Sequence, residues 1–293
     1  MSTVSKTAQK YVESYDGVKI YYQVRANENP TCLVFLHGLG GSLAGWNPEI
    51  EFFSSKGIST IAIDLLGHGL SDRPTDPDRF HFNHQARDVV HVLGKEQFKN
   101  YILVGQCYGG LVAMTLAATF QNILKGLVVI DSSDHLPRYA KAILERESIQ
   151  GLLSFLEKYF PNIYVPGRTN YQKYKGRGDW YFPRLFEDMM HTSLKSYLFS
   201  FQNVLGLNLQ EIIKNISVPT LIIASEKDTI FPPELSKDIA SRIKKSILTI
   251  LPGEDHVVIL NNPQKIDRES VIFLKKMKVI PDRKNFYDAS ALR

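Results

Sequence analysis

Six short β-rich runs, at 32–36, 59–63, 101–104, 126–130, 220–224 and 246–251, recur along the chain, and the gaps between them are long enough for helices. Strands linked through a helix lie parallel, and runs as uniformly apolar as 127–130 need cover on both faces. The alternation therefore predicts a parallel sheet flanked by helices, with helices near 44–55, 83–96, 109–120, 233–244 and 262–276. Ahead of these units, residues 11–24 alternate around Asp16-Gly17, the signal for two antiparallel strands joined by a tight turn. The expected core is a mostly parallel α/β sheet of eight strands.

The regular alternation stops after Ile130 and resumes at Thr220. Most of the residues between read as helices joined by Pro and Gly turns, too long for a bare loop, so an insertion is expected over 134–206, with core at 1–133 and 207–293. That stretch carries close to half of the chain's aromatic residues, among them Trp180, Tyr181, Phe182, Phe199 and Phe201. Such a surplus glues an insertion to its sheet and also lines apolar cavities, which points to a small apolar acyl or ring-containing substrate. The tail at 281–293 is polar.

At 293 residues and 44% hydrophobic content, a sizeable core is affordable, and disordered or fibrous classes are excluded. No run approaches the roughly 18 apolar residues of a membrane span, and residues 1–10 hold no hydrophobic signal core. A soluble, cytoplasmic protein is expected. The net charge of +5 is mild and dispersed, which argues against a nucleic-acid partner. The basic stretch 173–177 is broken by glycine and reads as a solvated loop. Nothing in the letters fixes an oligomeric state.

The run Gly105-Gln106-Cys107-Tyr108-Gly109-Gly110 follows a strand and opens the apolar stretch 111–118. This is the strand-to-helix elbow Gly-x-nucleophile-x-Gly, whose tight turn lifts the middle side chain above the sheet. Here that side chain is the thiol of Cys107. A helix N-terminus favours the thiolate, so nucleophilic catalysis through a thioester is expected. Cys32 starts a different strand; in parallel neighbours the two sulfurs stand on the order of 15 Å apart. A disulfide needs Cα atoms within about 7 Å, so Cys32 is read as a buried apolar residue.

A thiol nucleophile needs a base, and a base needs an orienting carboxylate. Of eight histidines, His256 is the one in a short loop after the last strand, at the same sheet edge as the elbow. Asp228 follows the strand 220–224 and reaches that edge; Asp131, after 126–130, is the alternative acid, and Asp255, beside the histidine, the weakest. His37 is expected to bond backbone, and His68 sits in a turn-rich loop. His81, His84 and His91 lack the cysteines or carboxylates of a zinc shell, so no metal is expected. For the oxyanion of acyl transfer, two donors are expected: the N–H of Tyr108, and that of Leu39 in the turn His37-Gly38-Leu39-Gly40-Gly41-Ser42. That turn lacks the ending of a phosphate loop and the dinucleotide spacing, so no cofactor is expected.

Elbow, glycine-rich turn, Asp228 and His256 occur in the order nucleophile, acid, base, and together resemble the α/β-hydrolase fold family over nearly the whole chain. Residues 64–72, Asp-Leu-Leu-Gly-His-Gly-Leu-Ser-Asp, are similar to that family's loop after its fourth strand, and 134–206 occupy the place of its helical cap. The resemblance is to the capped esterase and cofactor-free haloperoxidase-like branch, and implies a hydrolase of esters, lactones or thioesters with a Cys107–His256–Asp228 triad. Cys107 departs from the serine of most relatives, although dienelactone hydrolases and polyhydroxyalkanoate synthases of this fold use cysteine. An acyltransferase using the same thioester, and a ligand-binding or impaired serine-to-cysteine variant, stay open at this point.

Overall fold

A computed structural model of the chain describes residues 7–137, 142–143, 146–159 and 161–280; the polar tail at 281–293 lies outside them. The strands are β1 (Ala8–Glu13), β2 (Lys19–Arg25), β3 (Thr31–Leu36), β4 (Ser59–Ile63), β5 (Asn100–Gln106), β6 (Leu124–Ile130), β7 (Thr220–Ser225) and β8 (Ser246–Leu251). They form one sheet in the order β1-β2-β4-β3-β5-β6-β7-β8. β1 and β2 pair antiparallel, as the Asp16-Gly17 turn requires, and β2 meets β4 antiparallel; every pair from β4 to β8 is parallel.

Side chains alternate across β3: Cys32, Val34 and Leu36 enter one core, Leu33 and Phe35 the other. Helices α1 (Asn47–Ser55), α2 (Phe82–Glu96) and α3 (Tyr108–Phe120) follow β3, β4 and β5. The segment between β6 and β7 holds α4 (Glu147–Tyr159), α5 (Phe182–Thr192) and α6 (Leu194–Leu205). α7 (Pro233–Arg242), a short α8 (Val258–Asn261) and α9 (Pro263–Lys276) complete the described helices. Val89 and Val92 of α2, Leu111 to Ala117 of α3 and Ile239 of α7 cover the first face; Ile50 and Phe53 of α1 with Val271 and Leu274 of α9 cover the second. Each such buried aliphatic or Phe side chain contributes about 1.5–3 kcal/mol, which is what fixes the helices on the sheet.

Two expected boundaries move. The helix expected over 262–276 starts at Pro263, whose missing N–H is harmless in a first turn, and the separate α8 precedes it. β5 runs on through Gly105 and Gln106, so the strand delivers the chain directly to Cys107. The segment between β6 and β7 leaves and rejoins the core at one place, where Leu209 N donates to Asp134 O at 2.8 Å and His135 bridges Asn208. Among the described residues, no helix is long and apolar enough to cross a membrane.

β3 and β5 are neighbours, and the chain leaves the carboxyl end of β3 toward β4 on one side and that of β5 toward β6 on the other, so the two connections diverge. A crevice opens at such a switch point, and ligands in open α/β sheets bind there.

Candidate active site

Cys107 stands at that crevice, at the N-cap of α3, with φ 53° and ψ −117°. Positive φ is rare for a residue with a side chain, and the conformation is held by the turn around it. Cys107 N donates to Ile130 O at 3.0 Å, and its carbonyl accepts from Gly110 N at 3.0 Å and Ser132 Oγ at 2.8 Å. Two glycines make the turn possible: a Cβ on Gly105 would overlap the Gly109 carbonyl, and one on Gly109 would overlap the Leu36 carbonyl. The sulfur is half-buried, whereas Cys32 is fully buried and unpaired.

His256 comes from the loop after β8 and is almost wholly buried. Its Nδ1 bonds Asp228 Oδ2 at 2.7 Å, and the Cys107 sulfur is an electrostatic neighbour of the ring. Asp228 Oδ1 accepts from the N–H groups of Ile230 and Phe231, both at 2.8 Å, which fixes the carboxylate by its own loop. Burial works against a charged imidazole here, but the adjacent Cys107 sulfur and Asp228 carboxylate outweigh it and hold His256 well above the usual histidine range.

The rival acids stand elsewhere. Asp131 accepts from Ser225 N at 2.6 Å and Ser225 Oγ at 2.8 Å, and burial pushes its carboxyl up to about 8. Asp255 accepts from Val257 N at 3.2 Å. Neither carboxylate has a hydrogen bond to the His256 ring.

The glycine-rich turn passes against the elbow: a Cβ on Gly38 would lie 3.3 Å from Cys107 Cβ. Leu39 and Tyr108 both line the cavity beside Cys107 and His256. The first N–H groups of a helix have no intrahelical acceptor, and Tyr108 carries the first of α3. Two histidines brace the turn. His37 Nδ1 meets Gly38 O at 2.8 Å while its Nε2 accepts from Leu65 N at 3.0 Å. His68 Nε2 accepts from Gly40 N at 3.1 Å and its Nδ1 meets Leu66 O at 2.8 Å. Burial lowers the basicity of both rings, as an accepting Nε2 requires. The Asp64 carboxylate, fully buried, accepts from Leu43 N at 2.8 Å, Leu70 N at 2.9 Å and Arg168 Nη2 at 2.7 Å. The loop 64–72 thus holds the far end of the turn.

A cavity of about 240 Å³ opens over Cys107. Its walls are mainly apolar, with Leu111, Leu185, Phe201 and Ile259 among them, and α5 and α6 supply one side. Arg184 and Asp188 of α5 form a polar strip there, Nη1 to Oδ2 at 3.6 Å. Burial raises the Asp188 carboxyl to about 6 against the hydrogen bond from Thr169 at 2.6 Å.

Sequence reasoning missed three residues. Gln106 donates to His256 O at 3.1 Å and its amide stands 3.3 Å from His256 Nε2; its place before the nucleophile was the available signal. Asp179, from the segment between β6 and β7, accepts from His256 N at 2.8 Å. Thr192, at the end of α5, donates to Gly40 O at 3.0 Å. No motif marks Asp179 or Thr192, because both reach the site from remote chain. His81, His84 and His91 have separate neighbours, Asp78, Tyr15 and the Arg87 carbonyl. Among the described residues, no group of three His, Cys, Asp or Glu side chains could hold a metal ion.

Residues 31–263 match the family described as alpha/beta hydrolase fold. The chain is 25% identical to the protein named serine hydrolase BPHL from Mus musculus over 264 residues, 89% of this chain and 84% of that one. It is 23% identical to 3-oxoadipate enol-lactonase 2 from Acinetobacter baylyi over 263 residues, 88% of this chain and 94% of that one. Its fold is similar to the crystal structure of MGS-M2, an alpha/beta hydrolase enzyme from a Medee basin deep-sea metagenome library. The TM-score is 0.73 at 22% identity, over 91% of this chain and 97% of that one.

Proposed function

The chain belongs to the alpha/beta hydrolase fold family, and from that membership we propose that it hydrolyses a carboxylic ester, lactone or thioester through Cys107, His256 and Asp228. The observation that carries this proposal is the buried imidazole of His256, hydrogen-bonded to Asp228 and lining the same cavity as Cys107, whose sulfur acts on the ring electrostatically.

In the proposed reaction His256 takes the proton of Cys107 and the sulfur attacks the substrate carbonyl, forming a C–S bond. The oxygen, now negative, accepts from the N–H groups of Leu39 and Tyr108, each donor worth about 3 to 4 kcal/mol in the transition state. The bond to the leaving group breaks, and the imidazolium gives that alcohol or thiol its proton. Water, deprotonated by the same ring, then attacks the acyl-cysteine and releases the acid, returning the sulfur to its starting state.

An apolar cavity of about 240 Å³ with one polar strip suits a small acyl or ring-containing substrate. Within this proposal, residues 134–206 form a helical cap over a core of 1–133 and 207–293. Two free cysteines suit a reducing compartment such as the cytoplasm.

Incubation with an activated acyl ester at low temperature should add one acyl mass to Cys107. Undiminished turnover by Cys107→Ala would overturn the proposal. Adding an alcohol or thiol acceptor separates hydrolysis from acyl transfer by product: free acid in the first case, the new ester or thioester in the second.

A further inference from the structure

We propose that Asp179, which lies between β6 and β7 just ahead of α5, is a positioning residue that locks the loop of the base to the loop of the acid. The proposal rests on the triad described above. Asp179 is nearly fully buried and its two oxygens accept from three donors. Oδ1 accepts from the main-chain N–H of His256 at 2.8 Å; Oδ2 accepts from Thr229 N at 3.1 Å and Thr229 Oγ1 at 2.7 Å. One oxygen therefore binds the base itself, and the other binds the residue next to the acid.

The two loops have another link lower down, Lys227 N to Glu254 O at 2.7 Å, close to the ends of β7 and β8. Asp179 adds a link at the main chain of His256, and it comes from outside both loops. Its own position is fixed by the inserted segment. Its carbonyl accepts from Arg184 Nη2 at 2.8 Å, and Trp180 Nε1 donates to Thr229 Oγ1 at 2.9 Å. Arg184 and Trp180 also line the cavity. The residues that meet the substrate and the residue that sets the imidazole are thus one hydrogen-bonded unit, so the seating of the inserted segment decides where His256 stands relative to Cys107.

A carboxylate is needed because each of its oxygens accepts from donors, although the Asp255 carboxylate stands nearby. Asparagine would satisfy one side and turn an NH2 toward N–H groups on the other, leaving buried donors unpaired. A small displacement of a reacting group can cost about 100-fold in rate.

The test uses the full chain, with p-nitrophenyl butyrate as substrate and iodoacetamide as a thiol probe over a pH series, mass spectrometry reading the adduct on Cys107. Cys32 is fully buried and stays unmodified in folded protein. For folded D179N, kcat is expected to fall about 10- to 100-fold with KM within about twofold, and the alkylation profile to move toward that of H256A. T229V, which removes one donor and keeps the carboxylate, should shift both in the same direction by a few-fold, and T229S should restore them. If D179N does not fold, the T229V and T229S pair decides alone.

Wild-type kcat and alkylation in D179N, or in T229V where D179N is unfolded, overturn the inference while H256A still differs from wild type. An H256A profile identical to wild type overturns the pairing of His256 with Cys107, and the inference with it.

Discussion

Asp228 holds the His256 ring through a 2.7 Å bond to Nδ1, whereas Asp131, at the end of the neighbouring strand, spends both oxygens on Ser225. Burial raises Asp131 to about 8, so it is mostly neutral at pH 7, when the ring needs a full negative charge beside it.

Asp228→Asn is therefore expected to lower kcat by at least about 100-fold, since an amide neither stabilises the imidazolium nor fixes the ring. Asp131→Asn, which mimics the neutral form, should stay within about threefold of wild type. Steady-state kinetics on both variants check the assignment; the opposite ranking would transfer the role to Asp131.

A second pair of carboxyls sets a pH limit on stability. Glu49 of α1 and Asp267 of α9 are buried, interact with each other, and have oxygens without hydrogen-bond partners. Burial, with Asp267 as a neighbour, raises Glu49 well above the carboxylate range, and burial raises Asp267 to about 8. With a folded value above the unfolded one, the stabilising contribution is complete below about pH 4 and is lost as pH climbs toward about 8. Asp267→Asn should raise Tm by on the order of 5 °C at pH 8.5 and change it little near pH 4. Equal shifts at both pH values, read by thermal melts, would rule this out.

Arg168 is the cation that neutralises the fully buried Asp64, with Nη2 at 2.7 Å and Nε at 3.2 Å from the same oxygen. Arg168→Met removes the guanidinium from that buried carboxylate, leaving it the N–H groups of Leu43 and Leu70, and should cost about 2 to 4 kcal/mol, seen as a lower urea midpoint. Arg168→Lys should recover part of the loss, because a single ammonium replaces the charge but not the fork. No change in midpoint for the Met variant would show that the pair is not stabilising.

Gly109 admits no side chain. A Cβ there would run into the carbonyls of Leu36 and His37, which lead into the glycine-rich turn. Gly109→Ala must push that turn away from the elbow, at a cost of about 2 to 4 kcal/mol in stability and with loss of Leu39 from the site. Gly151→Ala, where a Cβ meets nothing within 4 Å, is the control. Matching melting curves for the two variants would contradict the close approach.

The letters alone carried the sheet, because β-rich runs and helical spacing report which faces must be buried, and each run from 32–36 to 246–251 became a strand. They also carried the elbow, since Gly105 is demanded by the backbone of Gly109 within the same turn, and they ordered Cys107, Asp228 and His256 along one sheet edge. They left Asp131 and Asp228 both available, as chain order places two carboxyls at adjacent strand ends without saying which one turns toward the imidazole. The choice depends on loop backbone: Asp228 is aimed by Ile230 and Phe231, while Asp131 is captured by Ser225. Asp179 and Thr192 lay beyond the reach of any pattern, because a hydrogen bond between residues 77 positions apart leaves no local trace in composition or spacing. Local chemistry is written in neighbouring residues, whereas contacts between distant segments exist only after the inserted helices have packed onto the sheet.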